Sequence, residues 1–519
     1  MCARQGVSQP LIDAAETLRN HEILLIGANG FLGKVLLGLL LDRFKDFKHL
    51  HVLIRPRRKT APADRFEKEV LASPALRPTV ENAGLDVIRR KISVHAGDLG
   101  DPNCGLGEDP LRQLSGRVAI VINCAGLVEF FPPIDDSFLS NVDGVEHVIS
   151  LCKRLRAKLL HVSTSFVCGE RDGLVEETEP IRNYYPRRKG PNDHGFQHER
   201  EIAYVRERIR EAYDSEGVSR GDRRPRSLSR KLIDIGCQRA ALWGWVNTYT
   251  YTKSLGEQLI AAAEDLDYAL LRPAIVEAAL EFPFPGWVEG GRTAAPLVMM
   301  AMGGLRHWAV RRDAAMEVIP VDQVAAAILI AAVMLLHGKA ERTYHLSTAD
   351  INPIYFRSLV DILHNEYRRQ QRLGGNSQRR VLSLGLPWGV KVLTPEQARA
   401  RGRHQQWVLT SLQKWASSAR RTAQSAGLPG WEKLRGIATS LRSAGLRAAM
   451  RDQALELYQP FMYDNRFIFE AENIRRAWRL LSDKDRALLP WAPDKIDWED
   501  YWVNNEVAGV LKWAASAEN

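Results

Sequence analysis

The chain has 519 residues, of which 45% are hydrophobic and 26% charged, and a formal net charge of +10. That length suits roughly two to four domains with a real core, and the composition excludes disorder, collagen and coiled coil as the main state. Six scattered cysteines without a C-x-x-C pair argue against a zinc cage or a disulfide framework and for a reducing, cytoplasmic compartment.

The first residues, MCARQGVSQP, lack the apolar core of a signal peptide, so residues 1–19 read as an N-terminal segment and secretion is not expected. An apolar run at 23–27, ILLIG, then stops at a glycine-rich turn, and Phe31 to Phe44 follows with helical periodicity. Gly27, Gly30 and Gly33 in GANGFLG therefore lie between a strand and a helix, where backbone approaches a pyrophosphate at the helix N-terminus. The glycines alone are a weak signal, and their position gives them meaning. A second strand, Leu50 to Ile54, runs into Arg55, Pro56, Arg57 and Arg58. An Asp or Glu in this region would accept hydrogen bonds from a ribose hydroxyl, whereas arginine pairs with a 2′-phosphate, so NADPH is the expected cofactor.

Further strands are expected at Ile92 to Ala96, Val118 to Asn123, Leu159 to Ser163 and Tyr268 to Leu271. Strands alternating with helices predict an α/β fold, a Rossmann-type doubly wound parallel sheet. Asn123, Cys124, Ala125 and Gly126 at the end of one strand would line the cofactor with backbone and small side chains, although packing alone would also explain them. HVSTSFVCG (161–169) ends a strand in three hydroxyls at the sheet edge where ligands bind. Thr164 is the best placed to share a substrate carbonyl, with Ser163 and Ser165 as lesser alternatives, and Cys168 reads as a packing residue without an adjacent base.

Ile181 to Gly244 is dense in Arg and Glu and reads as a mostly helical insertion. His194 and His198 within it have helical metal-ligand spacing but no further ligand cluster, which favours a solvated helix face over a metal site. In NTYTYTKSLGEQ, Tyr249 and Lys253 stand four apart and share a helix face. A lysine ammonium ~4 Å from the phenol would favour the phenolate by about 4 kcal/mol and bring it toward working pH. Tyr251 lies two residues from Lys253 and should face away from it. Val324 to Leu336 is an apolar run of 13 residues, short of the ~20 that a membrane helix needs, and reads as a buried helix.

Beyond Pro353 strand signals fade, and residues 353–519 read as a mainly helical C-terminal domain, with a loop-like LGGNSQRR near its start. Arg399 to Arg451 holds eleven Lys and Arg against one acid, Glu432, interleaved with Trp407, Trp415 and Trp431. This suits peripheral contact with an anionic membrane surface or a phosphate-bearing ligand, or else a solvated helical face. No nucleic-acid motif accompanies the charge.

GANGFLG, GDL at 97–99, NCAG, NVDG at 141–144, HVSTSFVCG, Tyr249-x-x-x-Lys253 and LRPAIV at 270–275 together resemble an extended short-chain dehydrogenase/reductase. More narrowly, GFLGKVLLGLLL, HVLIRP, YTYTKSLGEQ, RPAIVEAALEFPFPGWVEG and IPVDQVA resemble the fatty acyl-coenzyme A reductases, including alcohol-forming bacterial members. The likeness runs from about residue 20 to 350, a domain of residues 20–352 with cofactor and substrate lobes, and is looser beyond it. It implies cofactor contacts from Gly27, Asn29, Gly30, Phe31, Leu32, Gly33, Arg55, Asp98, Leu99, Cys124, Ala125, Gly126, Asn141, Lys253 and Pro273, with Asp98 near the adenine. It implies catalytic roles for Thr164, Tyr249 and Lys253. Ile26 and Asn29 stand where the family often has threonines. The implied activity is NADPH-dependent reduction of a long-chain fatty acyl-CoA, or an acyl-carrier-protein thioester, through the aldehyde to a fatty alcohol, a step of lipid metabolism such as wax ester synthesis, with no metal. Alternatives are an enzyme that stops at the aldehyde, one acting on a sugar nucleotide or steroid, and a nonenzymatic NADPH-binding sensor or adaptor.

Overall fold

The computed structural model describes residues 11–57, 60–190, 193–291, 293–373, 389–425 and 431–514. Arg58, most of the LGGNSQRR loop, the first ten residues and the Trp431 side chain lie outside the description. Seven strands form the central sheet: β1 (Glu22–Ile26), β2 (His49–Ile54), β3 (Ile92–Ala96), β4 (Val118–Asn123), β5 (Lys158–Val162), β6 (Tyr268–Pro273) and β7 (Thr343–Leu346). Their order is β7-β6-β5-β4-β1-β2-β3, and every pairing is parallel. β1 is buried at all five positions, as expected of a parallel strand covered on both faces. Strand order reverses between β1 and β4, which opens a crevice at their C-terminal ends.

Helix α1 (Phe31–Arg43) follows the glycine turn and buries Gly33 to Leu41 without a break. The insertion supplies α2 (His198–Glu216) and α3 (Arg226–Trp243). Their apolar residues Ile202, Val205, Leu228 and Leu232 share a core with Phe196, Trp245 and Tyr251, the last of these on α4 (Thr248–Ala262). His198 is buried there, and its Nδ1 lies 2.8 Å from Asn183 Oδ1, which corrects the solvated face expected of it. The apolar run at 324–336 falls in α5 (Val321–Leu336), buried from Val321 to Leu335 and packed on α1, β4, β5 and β6. Among the described residues no helix is long and apolar enough to cross a membrane.

The chain divides into two compact units, and not by a single cut. The first takes residues up to 290, 317–353 and 467 onward; the second takes 291–316 and 354–466. The junction at 353/354 is where composition changes, whereas the return of residue 467 onward to the first unit differs from one contiguous C-terminal domain. Buried carboxylates explain that return. Glu317 accepts the Phe469 N–H at 2.8 Å, and Glu177 accepts those of His345 and Asn473 at 2.8 and 2.7 Å. Tyr501 donates to the Ala278 carbonyl at 2.7 Å, and Asn505 donates to those of Ala279 and Leu280 at 2.8 Å each. In the second unit, α6 (Pro395–Ser425) and α7 (Trp431–Gln459) pack against one another and leave Trp407, Trp415, Leu446 and Met450 exposed.

Candidate active site

The turn after β1 is built to be tight on one side and open on the other. Gly27 has φ +93°, and a Cβ there would come within 2.9 Å of the Ala125 nitrogen; a Cβ on Gly33 would meet the Gly27 oxygen at 2.1 Å. At Gly30 the nearest atom to such a Cβ would be the Gly27 oxygen at 3.5 Å. Gly27 and Gly33 thus bring β1, β4 and α1 together, and Gly30 caps α1 without a side-chain acceptor. A cradle of this shape at the positive end of a 13-residue helix fits a dinucleotide pyrophosphate. Phe31 and Leu32 open α1, half-buried, and the Asn29 side chain lies near Glu69.

Around the crevice, Arg55 at the end of β2 pairs with Asp98, Nε to Oδ2 2.6 Å, bringing two of the expected cofactor residues together. The Leu99 carbonyl lies 2.7 Å from His147 Nδ1. Asn141 fixes the loop after β4: its Oδ1 accepts the Leu127 N–H at 3.1 Å, and its Nδ2 donates to the Leu127 carbonyl at 3.0 Å and to Thr252 Oγ1 at 3.1 Å. A Cβ at Gly126 would sit 3.6 Å from Lys253 Nζ, so this loop and α4 close on each other. Pro273 is buried at the end of β6.

Thr164 is buried just past β5, and its side chain sits close enough to the Tyr249 phenol to act on its ionisation. Asn247 caps α4 by accepting the Thr250 N–H at 2.9 Å, which sets the helix register and turns Tyr249 and Lys253 inward. Tyr251 points elsewhere, donating to Glu201 in the insertion core. The expected effect of Lys253 on Tyr249 requires correction. Burial pushes the phenol up to about 12, opposed by the nearby Thr164 hydroxyl, while Lys253 Nζ donates to the Val162 carbonyl at 2.8 Å and faces His161 Nε2 at 3.4 Å. Burial lowers Lys253 itself to about 8, because a charged ammonium is costly away from water. Cys168 is buried and its thiol pushed up by desolvation, in keeping with packing.

Four further residues complete the site: Asn123, which the sequence placed along the cofactor, and His161, Glu257 and Arg272, which it did not single out. His161 and Asn123 are buried beside Lys253, with His161 Nδ1 3.1 Å from Asn123 Nδ2. One turn past Lys253, Glu257 takes a bidentate pair from Arg272 of β6, at 2.9 and 2.6 Å, with both side chains buried. For His161 and Arg272 the available signal was polarity out of place, since each interrupts an apolar run of its strand.

The NAD-binding family described as "Male sterility protein" matches residues 25–328, so the cofactor is a nicotinamide dinucleotide. The "Probable fatty acyl-CoA reductase 5" of Arabidopsis thaliana is 30% identical over 369 residues, 68% of this chain and 71% of that protein. The "Alcohol-forming fatty acyl-CoA reductase" of Simmondsia chinensis is 29% identical over 366 residues, 68% of this chain and 72% of that one. Among solved structures, the terminal R domain from the myxalamid PKS-NRPS biosynthetic pathway covers 91% of this chain and 86% of its own at 19% identity, with a TM-score of 0.49. With the family matched over 25–328 and a relative at 30% identity, the chain belongs to the fatty acyl-CoA reductases, a family of oxidoreductases.

Proposed function

We propose that the protein reduces a long-chain fatty acyl thioester, carried on CoA or on a carrier protein, with NADPH, and continues through the aldehyde to the alcohol. The observation that supports this reading is the placing of the Thr164 hydroxyl beside the Tyr249 phenol, with Lys253 on the same helix facing the loop after β4. When bound, the dinucleotide supplies the hydride. Thr164 and Tyr249 then present two hydroxyls to the carbonyl oxygen as it gains charge. Tyr249, which holds its proton up to about 12, gives that proton to the oxyanion. The hemithioacetal so formed expels the thiol, and the same two hydroxyls serve the aldehyde in a second round. Lys253 supports the ribose side of the site from below. Gly27, Asn29, Gly30, Phe31, Leu32 and Gly33 hold the pyrophosphate, Arg55 takes the 2′-phosphate, and Asp98 with Leu99 flanks the adenine. Cys124, Ala125, Gly126, Asn141 and Pro273 line the nicotinamide half. The basic α6–α7 hairpin, with its exposed tryptophans, meets an anionic membrane surface peripherally.

The test is incubation of the purified chain with NADPH and a panel of acyl-CoAs. The expected outcome is two NADPH consumed for each CoA released, with added fatty aldehyde itself a substrate. A ratio of one with aldehyde accumulating would mean that reduction stops at the aldehyde.

A further inference from the structure

The stretch 217–230, which joins α2 to α3 and opens α3, carries five arginines, Arg220, Arg223, Arg224, Arg226 and Arg230, against one acid, Asp222. Asp222 is occupied locally, its Oδ2 accepting the Ser219 N–H at 3.3 Å, and Glu216 at the end of α2 is taken by Lys231. Of the five arginines only Arg224 has a carboxylate partner among the described residues: it reaches Asp136 Oδ2 at 2.8 Å and Asp135 Oδ2 at 2.6 Å. The other four are exposed. Their place ties them to the reacting centre. Asp135 and Asp136 open the helix Ile134–Phe138, at the end of the loop that leaves β4, and the Phe130 carbonyl of that loop accepts the Tyr249 N–H at 3.4 Å. Further along α3, Gly236 packs on the start of α4, where a Cβ would come within 2.7 Å of Thr248 Oγ1. Arg230 and Arg226 precede Gly236 by about 9 and 15 Å along the helix axis, at ~1.5 Å per residue.

We propose that Arg220, Arg223, Arg226 and Arg230 form the docking site for the phosphate end of coenzyme A. The proposal rests on the reading of the substrate as an acyl thioester and adds to it which carrier the site takes and where that carrier lies. The pantetheine arm has about twelve bonds between thioester sulfur and diphosphate, as many as four extended residues, and so spans roughly 14 Å. A thioester whose carbonyl meets Thr164 and Tyr249 therefore carries its diphosphate and 3′-phosphate to the level of these arginines. Guanidinium groups suit that end of the molecule, because their planar fork pairs bidentately with phosphate oxygens. Positive charge left unneutralised beside a crevice also raises the local concentration of an anionic substrate. Arg224, spent on Asp135 and Asp136, is the anchor that holds the basic stretch against the wall of the site. The arm of a carrier protein ends in a single phosphodiester and gives four free arginines far less to hold.

The experiment replaces Arg220, Arg223, Arg226 and Arg230 together by Gln in the full chain and reads two quantities. In calorimetric titrations, wild type should bind CoA more tightly than 3′-dephospho-CoA, and the fourfold variant should bind CoA weaker by about tenfold or more. In turnover with NADPH, the ratio of kcat/KM for a long-chain acyl-CoA to that for the same acyl-pantetheine should fall by a similar factor, and rising salt should lower it in wild type. Should the fourfold variant not fold, Arg226→Gln and Arg230→Gln singly should lower the same ratio, which does not depend on the amount of folded enzyme. A ratio equal to that of wild type, equal binding of CoA to both chains, or a loss seen only with carrier-protein thioesters would overturn the site. CoA binding that weakens in the variant as expected, without turnover of any thioester by wild type, would count against the proposed activity alone.

Discussion

Two residues separate Tyr249, whose hydroxyl meets Thr164, from Tyr251, whose hydroxyl donates to Glu201. That separation gives a controlled pair of variants. Tyr249→Phe should slow acyl-CoA reduction by ~10²- to 10⁴-fold with little change in acyl-CoA affinity. Tyr251→Phe should cost far less, because Glu201 keeps its partner Arg239 at 2.9 Å; steady-state rates for both decide it, and the reverse ranking would overturn the assigned register. Arg55→Ala should weaken NADPH binding by about 1.5 to 3 kcal/mol and leave NADH nearly unchanged in equilibrium titrations. At this scale the sequence was informative wherever spacing alone fixes direction. Four residues on a helix put Tyr249 and Lys253 on one face, and two put Tyr251 on another. It was uninformative where direction comes from a different strand, as with His161, whose meaning depends on Asn123 lying opposite in the sheet.

Helix α4 and strand β6 are joined by the buried Arg272–Glu257 pair, which positions the helix that carries Tyr249 and Lys253. Glu257→Ala would strand the Arg272 guanidinium in the core and should destabilise the fold by about 3 to 5 kcal/mol, read as a lowered urea midpoint. Replacing both partners by apolar residues of similar volume should recover most of that loss. Six of the seven sheet strands were legible as short apolar runs ending in turn residues. The seventh, Thr343–Leu346, was not, because Thr343 and His345 break the run and are satisfied by partners distant in sequence: the Thr343 carbonyl accepts from Asn473, and the His345 N–H donates to Glu177. The glycine turn was legible for a local reason, the close approach of Gly33 to the Gly27 oxygen, which other residue types cannot make.

Across the whole molecule, charge should govern two behaviours. His49, His51 and His95 cluster on β2 and β3, their rings 4.8 and 5.2 Å apart in sequence, and burial holds all three below the usual histidine range, His95 at about 4. The unfolded chain therefore binds more protons below pH ~6.5. Stability from these groups should be complete above that value, fall as pH drops toward about 4 and level off beyond, and His95→Gln should flatten the fall in urea midpoints measured against pH. The α6–α7 hairpin should bind acidic vesicles more than neutral ones at low salt and release them as salt rises, because exposed charges are screened over ~8 Å at physiological ionic strength. No preference at low salt, measured by co-sedimentation, would refute the membrane reading.

The path of the chain between its two units also fixes an order in time. The first unit is left at residue 290, rejoined at 317, left again at 353 and rejoined for good at 467. Its loop at 278–280 is held by Tyr501 and Asn505, more than 200 positions further along. During synthesis from the N-terminus, the sheet and the glycine turn can form early, whereas this loop cannot be secured until the second unit has been made and the chain has come back. A ribosome-stalled chain ending before Tyr501 should thus hold the strands of the sheet while Ala278 to Leu280 stay open to protease, and release of the last stretch should be what closes them.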